Sequence, residues 1–212
     1  MRIGILGAGL MGSKLGTIFA RAGHEVVFSY SRDPRKLEKL ARAAGGKAKA
    51  GTPREAVDKA GAVLLAVNWW NLDDVLKQAG SLAGKVLITC SMPMNEDNSG
   101  LVIANTSSGA EALQRKIPKA KVVQAFNTVP SEVFFGVFEA KGKREPPSLF
   151  CCGDDAGAKK VAAGLIRDVG FDPVDAGALK LARYMEPFVL LIAELAYNGR
   201  GGPELAYRIE RY

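Results

Sequence analysis

A glycine-rich turn close to the N-terminus constrains the fold of this chain more than any other feature. Residues 2 to 6 form a short apolar run of strand length, and Gly7-Ala8-Gly9-Leu10-Met11-Gly12 follows directly and opens a helical pattern. In such a G-x-G-x-x-G turn the first glycine permits the tight turn, the second lets the backbone approach a pyrophosphate, and the third lets helix and strand pack closely. The N–H groups at the helix N-terminus then face the anion. The alternative, glycines that serve packing alone, is less favoured because a second strand follows in a regularly alternating chain.

Short apolar runs alternate with helical segments along most of the sequence. Strands are predicted at residues 2–6, 25–29, 62–67, 85–89, 121–125, 148–152 and 171–174, and helices begin near residues 10, 34, 53, 72, 107 and 155. This alternation indicates an α/β fold with a doubly wound, mostly parallel sheet, the Rossmann arrangement. We expect residues 1–177 to form the NADP-binding domain and residues 178–212 to form a C-terminal helix and tail that contribute to the substrate site and a dimer contact.

Two helices carry specific expectations about burial. In the first, Leu10, Leu15, Ile18 and Phe19 are predicted to share the buried face. The last is predicted as one long helix over residues 179–198, apolar on nearly all sides, and a helix of that kind must be buried. We therefore expect a homodimer interface there, with burial against the chain's own sheet as the alternative.

Composition and charge exclude several classes of protein. With 48% hydrophobic and 24% charged residues over 212 positions, the chain has the composition of an ordinary globular domain. It contains neither an apolar stretch of about 18 to 20 residues, as a membrane span requires, nor an N-terminal signal peptide pattern. Three cysteines are too few for a disulfide framework, so we expect a cytoplasmic protein.

The net charge of +7 comes entirely from the first 60 residues, which hold 12 basic and 5 acidic side chains, whereas the remainder holds 17 of each. A nucleic-acid-binding chain more often shows a basic stripe interleaved with exposed aromatic residues. Here the excess accompanies the glycine turn, so the charge indicates a small anionic ligand and no nucleic-acid partner.

The end of the second strand indicates which dinucleotide binds. An acidic residue at this position usually holds the 2′-hydroxyl of NAD, whereas the 2′-phosphate of NADP requires cations and hydroxyls. The sequence offers Ser31, Arg32, Arg35 and Lys36, and Asp33, which precedes a proline, is predicted to cap the next helix. These residues predict NADP, with a solvated basic helix start as the alternative.

Three further strand ends predict the nicotinamide end of the site, because ligands of open parallel sheets bind at the carboxyl ends of strands. The candidates are Val67, Asn68 and Trp69 after one strand, Ser91 and Met92 after the next, and Ala125, Asn127 and Thr128 after a third. Trp69 and Trp70 are open to a second interpretation as packing residues. Asn127 either holds the nicotinamide carboxamide or caps a helix that begins near Ser131.

The sequence predicts no catalytic acid, base or nucleophile and no metal ligands. His24 is the single histidine and is predicted to be structural, in the turn before the second strand on the adenine side. Cys151 and Cys152 end a strand and are predicted to be packing residues. Hydride transfer between two aligned rings depends mainly on positioning and is compatible with this lack of catalytic side chains.

Several segments resemble the NADPH-dependent reductases of the deazaflavin coenzyme F420. The resemblance rests on the glycine turn, Ser31-Arg32, residues 106–111, 123–128 and 152–155, Asp175-Ala176-Gly177, Leu179, Ala182-Arg183 and Glu186. It covers nearly the whole chain and extends to the NADPH domain of the STEAP metalloreductases. It implies hydride exchange between NADPH and a flavin or deazaflavin acceptor, usually in a homodimer.

Two other functions remain open at this point. One is a small β-hydroxyacid-dehydrogenase-like or imine reductase, although such enzymes generally add a large helical domain and only about 35 residues follow the last predicted strand. The other is an NADPH-binding sensor without turnover, which the lack of catalytic residues allows.

Overall fold

One eight-stranded sheet, in the order β3-β2-β1-β4-β5-β6-β7-β8, organises the chain in the computed structural model, which describes residues 1–212. The strands are β1 (Arg2–Leu6), β2 (Glu25–Ser29), β3 (Lys47–Ala50), β4 (Ala62–Leu65), β5 (Val86–Thr89), β6 (Lys121–Ala125), β7 (Ser148–Gly153) and β8 (Asp172–Gly177). The helices are α1 (Leu10–Arg21), α2 (Pro34–Ala44), α3 (Pro53–Val57), α4 (Leu72–Ala79), α5 (Gly109–Lys116), α6 (Val133–Glu139), α7 (Ala156–Val169) and α8 (Ala182–Ala193). The predicted doubly wound Rossmann-like fold is confirmed.

The sheet is parallel except where β7 runs antiparallel to β6. Strand order reverses at β1, which pairs with β2 on one side and β4 on the other. Such a switch point opens a crevice at the carboxyl ends of the strands. The sequence did not predict β3, because its Lys-Ala-Lys-Ala segment contains no apolar run. This strand lies half exposed at the edge of the sheet.

The sheet is covered on both faces. One face packs against α1, α2, α6 and α7, and the other packs against α3, α4, α5 and α8. On the first face, the rings of Phe126 and Phe134 make edge-to-face contacts with each other and with Phe19 and Phe171, at centroid distances of 6.0 to 6.4 Å. A strand that is buried on both faces has a continuous run of apolar residues in its sequence, so most strands could be predicted from the sequence.

The prediction for the buried face of α1 was wrong at one position. Leu15, Ile18 and Phe19 are fully buried, but Leu10 is 69% exposed. Leu10 is the first residue of the helix, where the chain has only just left the turn, so its side chain projects beyond the edge of the sheet.

The C-terminal segment differs from the single buried helix that was predicted. A 3-10 turn over Leu179–Leu181 leads into α8, which contains Pro187, and a π-helical turn follows over Glu194–Asn198. The start of this segment joins the core of the second sheet face, whereas its far half leaves Leu191 and Leu195 about half exposed. A domain division at residue 177 stays a prediction. No helix of the chain has both the length and the apolar character needed to cross a bilayer.

A buried carboxylate ties α8 to the sheet and to a neighbouring helix. Glu186 is fully buried, and its oxygens accept hydrogen bonds from the backbone N–H groups of Gly109 and Ala110 at 2.8 and 3.1 Å and from Gln124 Nε2 at 2.9 Å. Burial raises the pKa of Glu186 to about 7, although these three donors oppose the shift.

We expect Glu186 to make stability fall as pH rises from about 4.5 towards neutrality. Because its pKa is about 7 in the folded chain and near 4.5 when unfolded, the folded state holds its proton more tightly, and stability decreases from about pH 4.5 to about pH 7. The decrease attributable to this group is at most about 3 kcal/mol. Urea unfolding at several pH values should show this slope in the wild type and in the exposed control Glu194→Gln, and a flatter profile in Glu186→Gln. An unchanged slope in Glu186→Gln would contradict the assignment.

Candidate functional site

A cleft of about 1110 Å³ opens at the carboxyl ends of β1, β2 and β4, at the switch point of the sheet. It brings together eight of the residues predicted from sequence: Gly7, Ala8, Gly9, Ser31, Arg32, Lys36, Val67 and Asn68. Residues that the sequence reading did not single out also line it, among them Tyr30, Thr52 and Asn71.

The three glycines of the turn are required for different physical reasons. Gly7 has a φ of 111°, and a Cβ there would collide with the carbonyl oxygen of Ala66. A Cβ on Gly12 would collide with the carbonyl oxygen of Gly7. A Cβ on Gly9 would meet no atom within 4 Å, and Gly9 has an ordinary negative φ. Packing within the fold therefore does not explain a glycine at position 9, and the space above this residue is open.

The N-terminus of α1 is open to an anion. No side-chain oxygen caps this helix, and its first turn contains no acidic residue. The first N–H groups of a helix lack partners within the helix and carry a partial positive charge. A pyrophosphate over Gly9 would take up these groups, so the turn fits the diphosphate of a dinucleotide.

Ser31, Arg32 and Lys36 lie beyond the end of β2, where a 2′-phosphate is expected. Asp33 caps α2 as predicted, since its Oδ1 accepts a hydrogen bond from the Arg35 backbone N–H at 3.0 Å. Arg35 does not line the cleft: its side chain is 91% exposed and its Nε lies 3.5 Å from Asp33 Oδ1. The cationic side chains that the structure brings to the cleft are therefore those of Arg32 and Lys36.

The other carboxylates of the cleft are already engaged. Glu55 accepts hydrogen bonds from the backbone N–H and the hydroxyl of Thr52 at 2.7 and 2.9 Å, which lower its pKa. Asp74 accepts from Tyr30 and Gln78, which lower its pKa in the same way. Glu38 pairs with Arg42 at 3.5 Å. Each of these carboxylates, like that of Asp33, thus has a protein partner on one of its oxygens.

Tyr30 is a wall of the cleft that the sequence reading missed. It has a φ of 61°, and its hydroxyl donates a hydrogen bond of 2.7 Å to Asp74 Oδ2. Burial and this bond to Asp74 raise the pKa of Tyr30 to about 12. The sequence contained one signal for this residue, its position directly after a predicted strand, because residues at the carboxyl ends of strands line the cleft.

Val67 and Asn68 lead from the cleft towards the nicotinamide end. Trp69 is half buried and packs against the core, which supports its interpretation as a packing residue, whereas Trp70 is 42% exposed and lines the cleft. Ser91 is buried, where its Oγ accepts a hydrogen bond from Val67 N–H at 3.2 Å and donates to Leu65 O at 3.4 Å. Ser91 thus holds the ends of β4 and β5 together.

The last residue of β6 and the residues that follow this strand are buried and do not line the open cleft. Ala125 is fully buried in the core, so its side chain offers no surface to a ligand. Asn127 Nδ2 lies 3.1 Å from Met92 Sδ, and Asn127 Oδ1 has no hydrogen-bond partner. The Thr128 hydroxyl is also without a partner. Asn127 makes no cap on α6, so its unpartnered oxygen fits the amide group of a carboxamide.

The remaining predicted members of the glycine turn lie beside the cleft. Leu10 is exposed, Met11 is half buried against the core, and Gly12 packs on β1 and its turn. These three positions act through the shape of the turn, because none of them contributes to the lining of the cleft.

The histidine and the cysteines lie away from this site. His24 directly precedes β2, at the end of that strand opposite to the cleft, and its Nε2 lies 3.0 Å from Asp168 Oδ2. Cys90, Cys151 and Cys152 are buried and free, and burial raises their pKa values to about 11 to 12. Thiols with such pKa values are poor nucleophiles, so these residues serve packing.

Fold and site together define a Rossmann-type dinucleotide-binding protein, and comparison with known proteins narrows the class. Residues 2–93 match the family model described as NADP oxidoreductase, coenzyme F420-dependent. A crystal structure of a candidate F420-dependent NADP reductase from Arthrobacter sp. FB24 is 27% identical, with a TM-score of 0.87 and all of both chains covered. The structure of a hypothetical protein from Sinorhizobium meliloti is also 27% identical, with a TM-score of 0.76, covering 99% of this chain and 96% of that one.

Among curated proteins, the metalloreductase STEAP3 of Rattus norvegicus is 29% identical over 189 residues, which is 89% of this chain. The chain spans only 36% of the length of that protein. The N-terminal part of the chain is thus similar to the F420-dependent NADP oxidoreductases, and most of the chain is similar to part of a STEAP metalloreductase.

Replacement of Gly9 tests whether this glycine is needed for cofactor binding and not for folding. Gly9→Ala should leave the thermal unfolding temperature unchanged, since its Cβ meets no atom, but should weaken NADPH binding about tenfold or more by obstructing the diphosphate. Gly12→Ala should instead cost about 1 to 3 kcal/mol of stability through overpacking. Gly164→Ala on α7, also without a neighbour for its Cβ, is the control for NADPH affinity; its own stability should rise by about 0.5 to 1 kcal/mol because Ala favours a helix interior. Calorimetric titration and thermal unfolding give both readouts, and undiminished NADPH affinity in Gly9→Ala would contradict this role.

Proposed function

We propose that the chain binds NADP(H) and exchanges a hydride with a flavin or deazaflavin acceptor. The observation that carries the cofactor half is the pairing of an open position over Gly9 with Arg32 and Lys36 at the end of β2. The two cations support NADP over NAD, because a 2′-phosphate requires cations, whereas a 2′-hydroxyl is usually held by an acid.

The chain's own residues bind and orient the cofactor in this proposal. The α1 N-terminus and Gly9 receive the diphosphate, Ser31, Arg32 and Lys36 receive the 2′-phosphate, and Asn127 receives the carboxamide through its unpartnered Oδ1. Ser91 fixes the strand ends beneath the ring. When bound, NADPH supplies the hydride at its nicotinamide ring.

The cofactor choice is tested with the two cations of the cleft. Arg32→Ala and Lys36→Ala should each raise the dissociation constant of NADPH about 10- to 100-fold, because each removes a charge-assisted contact to phosphate. The dissociation constant of NADH should change by less than about threefold. Lys39→Ala, an exposed lysine of α2 outside the cleft, is the matched control. Equal losses of affinity for NADPH and NADH would argue against a 2′-phosphate site.

The acceptor half is supported by the chemistry at the nicotinamide end. The groups that the structure gathers there are amides and hydroxyls, which orient a ring but do not exchange protons readily at neutral pH. Direct ring-to-ring hydride transfer requires alignment above all. The family resemblance and the Arthrobacter structure point to the same class of acceptor.

Stopped-flow oxidation of NADPH in the presence of F420, FMN or simple carbonyl compounds tests the acceptor. We expect rapid oxidation with F420 or FMN and none with carbonyl compounds. Turnover only with carbonyl compounds would overturn the proposal in favour of an imine- or hydroxyacid-type reductase. Tight NADPH binding without oxidation by any acceptor would favour a sensor.

We also propose that the protein is a cytoplasmic homodimer. The exposed residues Tyr184, Leu191, Leu195 and Tyr197 form an apolar surface on α8 and the turn after it. A second copy of the chain would cover this surface, and a mass of one chain by light scattering at micromolar concentration would contradict the dimer. The three free, buried thiols support a reducing compartment.

A further inference from the structure

The C-terminal tail returns to the carboxyl end of β6. The Ser148 backbone N–H donates a hydrogen bond of 2.8 Å to the carbonyl oxygen of Tyr207, and Ile209 N–H donates one of 3.0 Å to Ser148 Oγ. Pairing of β6 with β7 ends at Ala125 and Cys151, so Ser148 lies beyond the end of β6. Beyond the end of β6, the tail therefore forms the hydrogen bonds with the edge of β7 that β6 formed up to that point. This part of the tail lies next to the residues that follow β6.

An aromatic cluster fixes the ring of Tyr207. The ring stacks on Phe150 at a centroid distance of 5.7 Å and an angle of 29°, and it meets Phe188 of α8 edge-on at 5.4 Å. Phe150 and Phe188 also contact each other, at 5.9 Å. Because the three rings constrain one another, the tyrosine hydroxyl is held at a defined place.

That place contains several polar atoms whose hydrogen-bonding capacity is unused. The buried hydroxyls of Tyr207 and Thr128 lie beside each other and have no other partner, and the Oδ1 atom of the preceding residue, Asn127, has none. Thr128 and Asn127 are at least 95% buried. Burial raises the pKa of Tyr207 to about 12, and the hydrogen bond with the Thr128 hydroxyl opposes that shift. Buried polar groups in native proteins are nearly always paired, so unused hydrogen-bonding capacity at one strand end indicates a ligand.

We propose that Tyr207 and Thr128 bind the polar edge of the acceptor ring, beside the nicotinamide carboxamide held by Asn127. This inference rests on the proposed function. A hydroxyl both donates and accepts, so two of them match a ring edge on which carbonyl and N–H groups alternate, as on the pyrimidine edge of flavins and deazaflavins. Both hydroxyls are covered in the unliganded protein, so acceptor binding requires local movement of the tail.

The experiment compares two tyrosines of the same tail. Tyr207→Phe removes only the hydroxyl, and Tyr212→Phe does the same at a fully exposed position. Binding of F420 and FMN to the NADP⁺-loaded protein is measured by fluorescence, together with steady-state kinetics, NADPH affinity and thermal unfolding. Tyr207→Phe should weaken acceptor binding and lower kcat/KM for the acceptor about 3- to 10-fold. Its NADPH affinity should match that of Tyr212→Phe, and its thermal unfolding temperature should lie within about 4 °C of that variant's, since the lost hydroxyl contacts only the hydroxyl of Thr128.

Thr128→Val provides a second, nearly isosteric variant and should show the same loss in acceptor binding. Equal acceptor binding and kinetics in Tyr207→Phe and Tyr212→Phe would overturn the inference, and so would a loss confined to stability or NADPH affinity. If the wild type oxidises NADPH with neither F420 nor FMN, the proposed function fails, and the binding measurement still decides the inference. Binding of neither acceptor by the wild type would overturn both.

Discussion

The close approach of α1 to the strands beneath it is the contact on which the rest of this structure depends. Gly7 and Gly12 permit it, because a Cβ at either position would strike a backbone carbonyl oxygen. The approach brings the helix N-terminus to the switch point between β1 and β4, where unpaired N–H groups and a cleft coincide. Gly9 adds nothing to packing and leaves the space that a diphosphate needs, so one short turn serves both folding and binding by separate glycines.

The other end of the site depends on the C-terminal residues. Glu186 fastens α8 to the start of α5 and to Gln124 of β6, and the tail takes up the hydrogen bond that Ser148 would otherwise lack. Residues 178–212 thus pack against the sheet at the place where the chain leaves β6. The far half of the same segment leaves apolar side chains exposed.

In the first half of the molecule, local sequence patterns were sufficient to predict the main structural elements. The glycine turn, the proline after Asp33 and the apolar strands each follow from contacts between near neighbours, so their predictions agree with the structure. The errors arose where distant parts of the chain decide. β3 is a Lys-Ala strand that forms because β2 offers an edge, and Leu10 is exposed because the sheet ends beneath it. Arg35 pairs with Asp33 and does not line the cleft. Tyr30 was not predicted because its partner Asp74 lies on α4, 44 residues further along the chain.

The sequence by itself determined the class of fold, the glycine turn and the cationic residues after β2, because each is encoded within a few consecutive positions. Only the tertiary structure decided which cations face the cleft, which partners the carboxylates around it have, and that Tyr207 of the tail lies beside Thr128 at the end of β6. The reason is physical. Hydrogen-bond partners separated by tens of residues are set by strand order and by the path of the tail, and neither leaves a periodic signal in the sequence.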